Sequence, residues 1–252
     1  MGLFSKKTCS VCGGDIGLFG NRKLEDGNLC KNCAAKLSPW FSERRSSTVE
    51  QIRAQLRYRE ENKSAVAAFH TTSSFGEDTK LLLDEDARKF VVTEASNLIS
   101  DNPDVLDFSQ VTGVDLDIEE DASEAETEDK DGKSVSYNPP RYEYSYDFHV
   151  VIRVNHPYFD EMRFQLNSSD VQTTTQPVPA VRKPNPQLNA EYARYEKMGN
   201  EIVAVLTQGR QQIRDEKAAA AAPKAAKTCH ACGASTIPDA NGCCEYCGSP
   251  LA

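Results

Sequence analysis

The chain has 252 residues and a formal net charge of −9, and this acidity argues against unspecific binding to nucleic acid or anionic lipid. No stretch approaches the roughly 20 apolar residues of a transmembrane helix, and the first residues lack the apolar core of a signal peptide. We therefore expect a cytoplasmic protein of one or two domains plus small modules, without a membrane-spanning segment and without contact to a membrane surface.

The first predicted element is a small metal-binding module over residues 1–45. Two C-x-x-C pairs with seventeen residues between them offer the four thiolates that zinc binds in a tetrahedron. These ligands are Cys9, Cys12, Cys30 and Cys33. Short strands at 16–19 and 24–29, and a helix that starts at the second pair, predict a treble-clef-like finger. Four protein ligands fill the shell, so we interpret the site as structural rather than catalytic.

A Trp-Phe pair followed by two arginines supplies the candidate partner-binding residues. They are Trp40, Phe41, Arg44 and Arg45. Interface energy concentrates in Trp, Tyr and Arg side chains, and aromatic rings beside cations also suit stacking on nucleic-acid bases. The alternative is that Trp40 and Phe41 fill the small core under the metal, where a finger needs apolar bulk.

A capped linking helix is predicted over residues 46–65. Ser47 and Glu50 have the spacing of a capping box. Val49, Ile52 and Leu56 then follow at intervals of three and four and form one apolar stripe. The finger and this helix are basic, since residues 1–63 hold twelve Lys and Arg against seven Asp and Glu.

Residues 66–217 are predicted to form an antiparallel β-rich domain closed by a helix, which makes the chain an α+β multidomain protein. Strands are expected at 81–83, 89–93, 111–118 and 162–166. The segment 142–154 alternates, so that seven apolar side chains share one face. These are Tyr142, Tyr144, Tyr146, Phe148, Val150, Ile152 and Val154.

An acidic loop is predicted at residues 115–141 of this domain. Residues 115–131 hold ten Asp and Glu, one Lys and no aromatic residue. Such a composition is typical of a solvated, mobile segment. The formal net charge of this stretch equals the net charge of the whole chain, −9.

The closing helix is predicted over residues 186–217, with Asn185 as its cap and Pro186 at its first position. One stripe of this helix is apolar and would pack on the sheet. Its members are Leu188, Tyr192, Tyr195, Ile202, Leu206 and Ile213. Several strands followed by one helix is the order of a pleckstrin-homology-like fold, which we expect here.

An alanine-rich tether at 218–227, broken at Pro223, leads to a zinc ribbon at 228–252. Its C-x-x-C pairs have eleven residues between them, and their ligands are Cys229, Cys232, Cys244 and Cys247. Cys243 adjoins a ligand and is either a turn residue or a spare thiol. The alternatives to two structural zinc ions are iron in a rubredoxin-like site and a disulfide framework, which the odd cysteine count and the cytoplasm disfavour.

Three segments of the finger carry a family resemblance: IGLFGNRKL, DGNLC and KLSPWFSERR. Over residues 9–62 the chain closely resembles the bacterial domain-of-unknown-function 4428 family. The resemblance implies a cytosolic zinc protein of bacterial or phage association and implies no reaction. Residues 229–248 are similar to zinc-ribbon tails of many bacterial proteins, which indicates a metal site only.

We expect a non-enzymatic adaptor that binds a protein partner, with no catalytic residues and no cofactor besides zinc. The sequence contains no phosphate-binding glycine loop and no GxSxG or HExxH motif. The alternative is a nucleic-acid-binding protein that uses the basic N-terminal module. Its cations would be Arg22, Lys23, Lys31, Lys36, Arg44, Arg45 and the arginines of the linking helix. Two further hypotheses are a membrane-surface role, by analogy with pleckstrin-homology-like folds, and a zinc or thiol sensor at Cys243. The sequence does not indicate the oligomeric state.

Overall fold

The structure is a computed structural model that describes residues 7–221, 226–239 and 241–251. The chain divides into two compact units, Met1–Arg210 and Gln211–Ala252. The division falls within one continuous helix, Ala190–Ala221. Within the described ranges, no helix is both long enough and apolar enough to cross a membrane.

The N-terminal finger consists of two small hairpins and a short helix. Its elements are β1 (Lys7–Thr8), β2 (Asp15–Ile16), β3 (Arg22–Lys23), β4 (Asn28–Leu29) and α1 (Lys31–Ala34). β1 pairs with β2, and β3 pairs with β4. The N–H of Leu24 donates to the carbonyl of Gly27 at 2.9 Å, which closes the predicted turn of the second hairpin. Leu24, Leu29 and Ile52 are fully buried and form the core of this module.

Helix α2 (Val49–Ala68) is capped one residue later than predicted. Thr48 is the cap: its hydroxyl accepts from the N–H of Gln51, and the Gln51 side chain accepts from the N–H of Thr48. The Ser47 hydroxyl instead donates to the carbonyl of Glu43 at 2.8 Å, in the 3-10 turn before the helix. The capping box predicted for Ser47 and Glu50 is therefore wrong, although the helix itself is present.

An antiparallel meander of four strands follows α2. Its elements are β5 (Ser73–Phe75), β6 (Lys80–Asp84), β7 (Lys89–Thr93), the short helix α3 (Leu98–Asp101) and β8 (Leu106–Asp107). Strand β7 has the predicted bounds, whereas β5 and β8 were not predicted. Each strand pairs with the next in chain order.

The second sheet is organised around one long central strand. Its members and the adjoining hairpin are β9 (Val111–Glu124), β10 (Glu126–Glu128), β11 (Ser134–Ser136), β12 (Arg141–Val154), β13 (Glu161–Gln165), β14 (Val171–Gln172) and β15 (Val178–Pro179). β9 pairs with β12 from Tyr142 to Val154, while β13, β14 and β15 pair with it in turn. β10 and β11 form a separate hairpin. The predicted apolar face of β12 is confirmed, with Phe148, Val150 and Ile152 fully buried.

The predicted acidic loop is wrong, because β9 and the β10–β11 hairpin occupy most of it. The acidic side chains that alternate along β9 form ion pairs with cations of neighbouring strands. Asp117 lies 2.7 Å from Arg163, and Asp115 pairs with Arg153. Charges along an edge strand also prevent unwanted pairing with another chain. The predicted strand at 111–118 is the first half of β9, and its continuation to Glu124 was missed because carboxylates there pair with cations distant in sequence.

Helix α4 (Ala190–Ala221) packs on the central sheet through aromatic rings. Phe148 lies with its ring centroid 5.0 Å from Tyr192 and 5.6 Å from Tyr195. Two glycines allow the close approach, since a Cβ at Gly209 would lie 2.3 Å from the Phe108 ring. The helix continues into the predicted tether, and the predicted break at Pro223 lies outside the described residues.

The start of this helix differs from the prediction. Asn185 caps only a single 3-10 turn, Pro186–Leu188, and Asn189 accepts from the N–H groups that open α4. Leu188 consequently leaves the apolar stripe and is 85% exposed. The pleckstrin-homology-like topology is not confirmed: the strands form a four-stranded meander and a five-stranded sheet around β12.

The second unit contains a small ribbon with two strands, β16 (Lys227–Thr228) and β17 (Ser235–Thr236), which pair with each other. Two tight turns of the same geometry hold its cysteine pairs. Gly233 donates to the carbonyl of Cys229 at 2.7 Å, and Gly248 donates to that of Cys244 at 2.8 Å. The predicted tether thus ends where β16 begins.

Candidate functional site

The structure gathers the four cysteines of the finger into one cluster. One ligand atom from each of Cys9, Cys12, Cys30 and Cys33 lies within 4.8 Å of all the others. The first pair sits in a tight turn, in which the N–H of Gly13 donates to the carbonyl of Cys9 at 2.8 Å. Cys30 caps helix α1 and Cys33 lies inside it. A tight turn and a helix N-terminus therefore supply the two halves of the site, as in the predicted treble-clef arrangement.

Backbone groups prepare the finger cluster for a cation. Burial raises the pKa of the Cys9 thiol, but hydrogen bonds from the backbone N–H groups of Cys12, Cys30 and Val11 outweigh burial and lower it to about 6. Burial and the neighbouring sulfur atoms raise the pKa of Cys33. Four thiolates this close together would repel one another, and a bound cation would offset that repulsion.

The C-terminal cluster has a different construction and a similar size. Cys229, Cys232, Cys244 and Cys247 also lie within 4.8 Å of one another. Two tight turns supply these ligands, as in a zinc ribbon. The side chain and the N–H of Ser249 lower the pKa of Cys247 to about 6.

The sulfur separations fit a tetrahedral metal with thiolate ligands. Zinc–sulfur bonds of about 2.3 Å place the sulfur atoms of a tetrahedron about 3.8 Å apart. The Cys12 and Cys30 sulfurs lie 3.8 Å apart, and those of Cys232 and Cys244 lie 3.7 Å apart. Both clusters are therefore candidate metal centres in which protein ligands complete the shell.

Cys243 does not belong to the second cluster. Its backbone N–H donates to Asp239 at 2.8 Å, and it forms an isolated bridge with Pro250. Its sulfur lies 3.8 Å from the carbonyl of Asn241. These contacts fit the turn-residue interpretation.

A buried carboxylate joins the finger to the β-rich part of the first unit. Asp104 is fully buried, and it accepts from the Ser38 hydroxyl at 2.7 Å, the Tyr58 hydroxyl at 3.0 Å and the Arg59 guanidinium at 2.7 Å. Arg59 also donates to the carbonyl of Lys36 at 3.3 Å. Arg59, predicted as a surface cation, is thus a buried structural residue.

A cleft of about 860 Å³ lies beside this network. Trp40 and Phe164 contribute apolar surface to its lining, and His149, Arg163 and Gln165 contribute polar groups. The indole N–H of Trp40 and Nδ1 of His149 are both buried and have no hydrogen-bond partner among the described residues. The lining therefore combines a large aromatic side chain with unsatisfied polar groups.

Strand β13 contributes an open backbone edge to the cleft. The N–H of Leu166 donates to the carbonyl of Phe148 at 2.8 Å, which makes this a hydrogen-bonded pair of the β12–β13 ladder. Hydrogen-bonded pairs alternate with non-hydrogen-bonded pairs along an antiparallel ladder, so Phe164, two residues before Leu166, also turns its backbone groups toward β12. Arg163 and Gln165 therefore turn theirs to the opposite edge, where no described strand pairs with them.

Strand β7 contributes a second open edge. The N–H of Phe108 donates to the carbonyl of Arg88 at 2.9 Å, and the same alternation turns the backbone groups of Phe90 and Val92 to the β8 side. β8 pairs only as far as Leu106 opposite Phe90, so Val92 lies beyond its end. Val92 also lines the cleft, but this residue is only 2% exposed, so Arg163–Gln165 is the more accessible of the two unpaired edges.

The four predicted partner-binding residues do not share one environment. Trp40 lines the large cleft and also a second cleft of about 460 Å³. Phe41 lines the smaller cleft and packs against the finger core, so the core interpretation holds for Phe41. Arg44 donates to the carbonyl of Lys23 at 2.7 Å, and Arg45 is exposed.

Sequence reasoning missed His149, Gln165 and Asp104 as site residues. His149 alternates with the buried Phe148 and Val150, and that pattern could have placed it on the opposite face of β12. Asp104 carries no such signal, because its partners Tyr58 and Arg59 are more than forty residues away.

Comparison with known proteins identifies one segment of the chain. No curated protein and no solved structure matches the chain. The second four-cysteine cluster, at the C-terminus, lies outside the matched segment. Residues 8–55, which contain the first cluster, match the family described as Domain of unknown function (DUF4428).

Proposed function

We propose that the protein is a non-enzymatic, cytoplasmic zinc-binding adaptor that holds an extended segment of a protein partner in the cleft beside Trp40. The observation that carries this proposal is the unpaired strand edge at Arg163–Gln165, which lines the same cleft as Trp40. An extended peptide added to such an edge gains main-chain hydrogen bonds, and the side chains around it select its sequence.

Zinc is the proposed ion in both four-cysteine clusters. Four thiolates at tetrahedral spacing suit zinc, and they also suit iron. Zinc bound there would supply folding energy to modules that have little apolar core. In the finger, this ion would hold the segment from which Trp40 reaches the cleft.

A binding role, rather than turnover, is supported by the composition of the cleft. The lining has one histidine, and although Thr79, Thr93, Glu94 and Asp101 also line the cleft, no described residue forms a hydrogen bond with Nδ1 of His149. A hydrogen-bonded nucleophile–base pair is therefore not formed at this atom. Both metal sites have four protein ligands and leave no position for a substrate.

Two substitutions at one residue test the strand-addition mode. Arg163→Pro removes the outward N–H, whereas Arg163→Gln keeps it and loses the same side-chain ion pairs with Asp117 and Glu119. Proline is tolerated at an edge strand where the N–H faces outward, so both variants should fold. Zinc content and Trp40 fluorescence check this.

The probe is a phage-displayed library of random linear peptides, selected against the zinc-loaded full chain. We expect enriched peptides to bind Arg163→Gln about as well as the original chain and Arg163→Pro at least tenfold more weakly. Trp40→Ala should also weaken binding at least tenfold, because large aromatic side chains dominate interface energy. Leu188→Ala, at an exposed site, is the matched control. Failure to enrich any peptide, or equal binding by both Arg163 variants, would contradict the proposal.

A further inference from the structure

The finger carries an exposed apolar tip that its own fold does not use. The turn between β2 and β3 is closed by a hydrogen bond from the N–H of Gly20 to the carbonyl of Gly17 at 3.0 Å. The two residues at its apex, Leu18 and Phe19, are 83% and 92% exposed. Side chains of this size gain free energy when they leave water, so adjacent exposure on a turn is a mark of a binding surface.

The tip is anchored by hydrogen bonds of the residues that follow it and by the pairing of the strands before and after it. The Arg22 guanidinium donates to the carbonyl of Phe19 at 3.3 Å. The Asn21 amide donates to the Asn28 side chain at 2.9 Å. β2 and β3 each pair in a hairpin of the finger. Leu18 and Phe19 therefore project from the fold into solvent.

A cluster of unpaired cations adjoins the tip. Arg22 and Lys23 follow it directly in β3, and Arg44 bonds to the carbonyl of Lys23. Lys23 and Arg45 line one small cavity, which places Arg45 beside β3. Across the described chain, none of these four cations forms an ion pair with a carboxylate.

We propose that Leu18 and Phe19 insert into the interfacial layer of an anionic lipid membrane while Arg22, Lys23 and Arg45 contact the lipid phosphates. A projecting apolar pair beside cations matches a membrane leaflet, in which anionic headgroups lie over apolar acyl chains. A protein partner would need a pocket for each side chain, and nucleic acid would stack on Phe19 but leave Leu18 in water.

The acidic net charge argued against such a surface, but it comes mainly from residues 115–131. The finger and helix α2 have a surplus of positive charge, and the four thiolates with one divalent ion would remove only part of it. This contact is independent of the peptide cleft, so either proposal can fail alone.

Flotation of the zinc-loaded full chain with lipid vesicles tests the contact. The vesicles consist of phosphatidylcholine alone or of equal parts phosphatidylcholine and phosphatidylserine. We expect flotation with the mixed vesicles only, and at least tenfold weaker flotation for the double variant Leu18→Ser, Phe19→Ser. The matched control is Val181→Ser, Leu188→Ser, which removes two apolar side chains of similar exposure outside the finger. The control should float like the original chain.

A second variant, Arg22→Gln with Arg45→Gln, tests the cations and should lower flotation about tenfold or more. Absence of flotation with the mixed vesicles, or equal flotation of the tip variant and its control, would overturn the proposal. A labelled oligonucleotide is tested in parallel. Binding of that probe through Arg22 and Arg45, without vesicle binding, would also overturn it and assign the surface to nucleic acid.

Discussion

Replacement of Asp104 by Asn should separate the finger from the β-rich part of the first unit. Asp104 is fully buried, and its ion pair with Arg59 has side chains only 0% and 8% exposed. Asn keeps the size and one carbonyl oxygen, and the Ser38 hydroxyl can accept instead of donate. The change therefore removes the negative charge and leaves Arg59 as an uncompensated buried cation.

The expected loss in free energy of unfolding is large. Breaking a buried ion pair by neutralising one partner costs about 3–5 kcal/mol, because the remaining charge stays desolvated. An exposed pair contributes about 0–1 kcal/mol. Arg57 and Glu50 form such a pair at 3.6 Å, with 63% and 78% of their side chains exposed. Arg57→Gln is thus the matched control and should change stability by less than about 0.5 kcal/mol.

The assay is urea unfolding followed by tryptophan fluorescence. Trp40 is the only tryptophan, and its backbone N–H donates to the Ser38 hydroxyl at 3.1 Å, so the emission of its indole reports on this network. Circular dichroism follows the β-sheets in parallel. A stability change below about 1 kcal/mol for Asp104→Asn, or an equal change for Arg57→Gln, would refute the reasoning.

Two further predictions concern the β-rich part of the first unit. Gly209→Ala should destabilise the fold by about 1–3 kcal/mol, because its Cβ would meet the buried Phe108 ring at 2.3 Å. The Cβ of Gly199→Ala would meet both methyl groups and Cγ of Leu116, the nearest at 2.4 Å, but this half-buried side chain can move, so the destabilisation should be smaller. Equal thermal shifts for the two variants would contradict this. Glu77 accepts hydrogen bonds from Tyr195, Ser168 and Arg194, which lower its pKa to about 2, below the value of about 4.3 expected when unfolded. Its stabilisation is therefore present above about pH 4.5 and is lost as the pH falls toward 2. Between pH 4.5 and 2, the free energy of unfolding should fall more steeply for the original chain than for Glu77→Gln. Parallel curves would contradict this. Loss of metal at low pH would affect both chains alike and would cancel in the comparison.

The metal clusters were predictable from sequence because their geometry is local. A C-x-x-C turn fixes two sulfur atoms within four residues, and one further pair completes a cluster. The alternation in β12 was equally informative, since its inward side chains are all apolar and the sheet buries them. Both predictions rest on patterns that span at most a few tens of residues.

The remaining features depend on partners far apart in the chain. The second half of β9, residues 119–124, was missed because its acidic residues look solvated until Arg163 and Lys183 are placed beside Glu119 and Glu120. The cleft was missed for the same reason, since Trp40, Val92 and Arg163 come from three separate elements. The helix cap at Thr48 shows a finer limit: two adjacent hydroxyl residues fit the capping pattern, and a contact to Glu43 decides between them.

Native mass spectrometry of the intact chain tests the central claim, that two closed four-thiolate zinc sites organise this protein. We expect two zinc ions per chain, one after Cys33→Ser or Cys232→Ser, and two after Cys243→Ser, because only the eight clustered cysteines are ligands. A chain that carries iron, that binds fewer than two ions, or that loses an ion with Cys243→Ser would contradict the account.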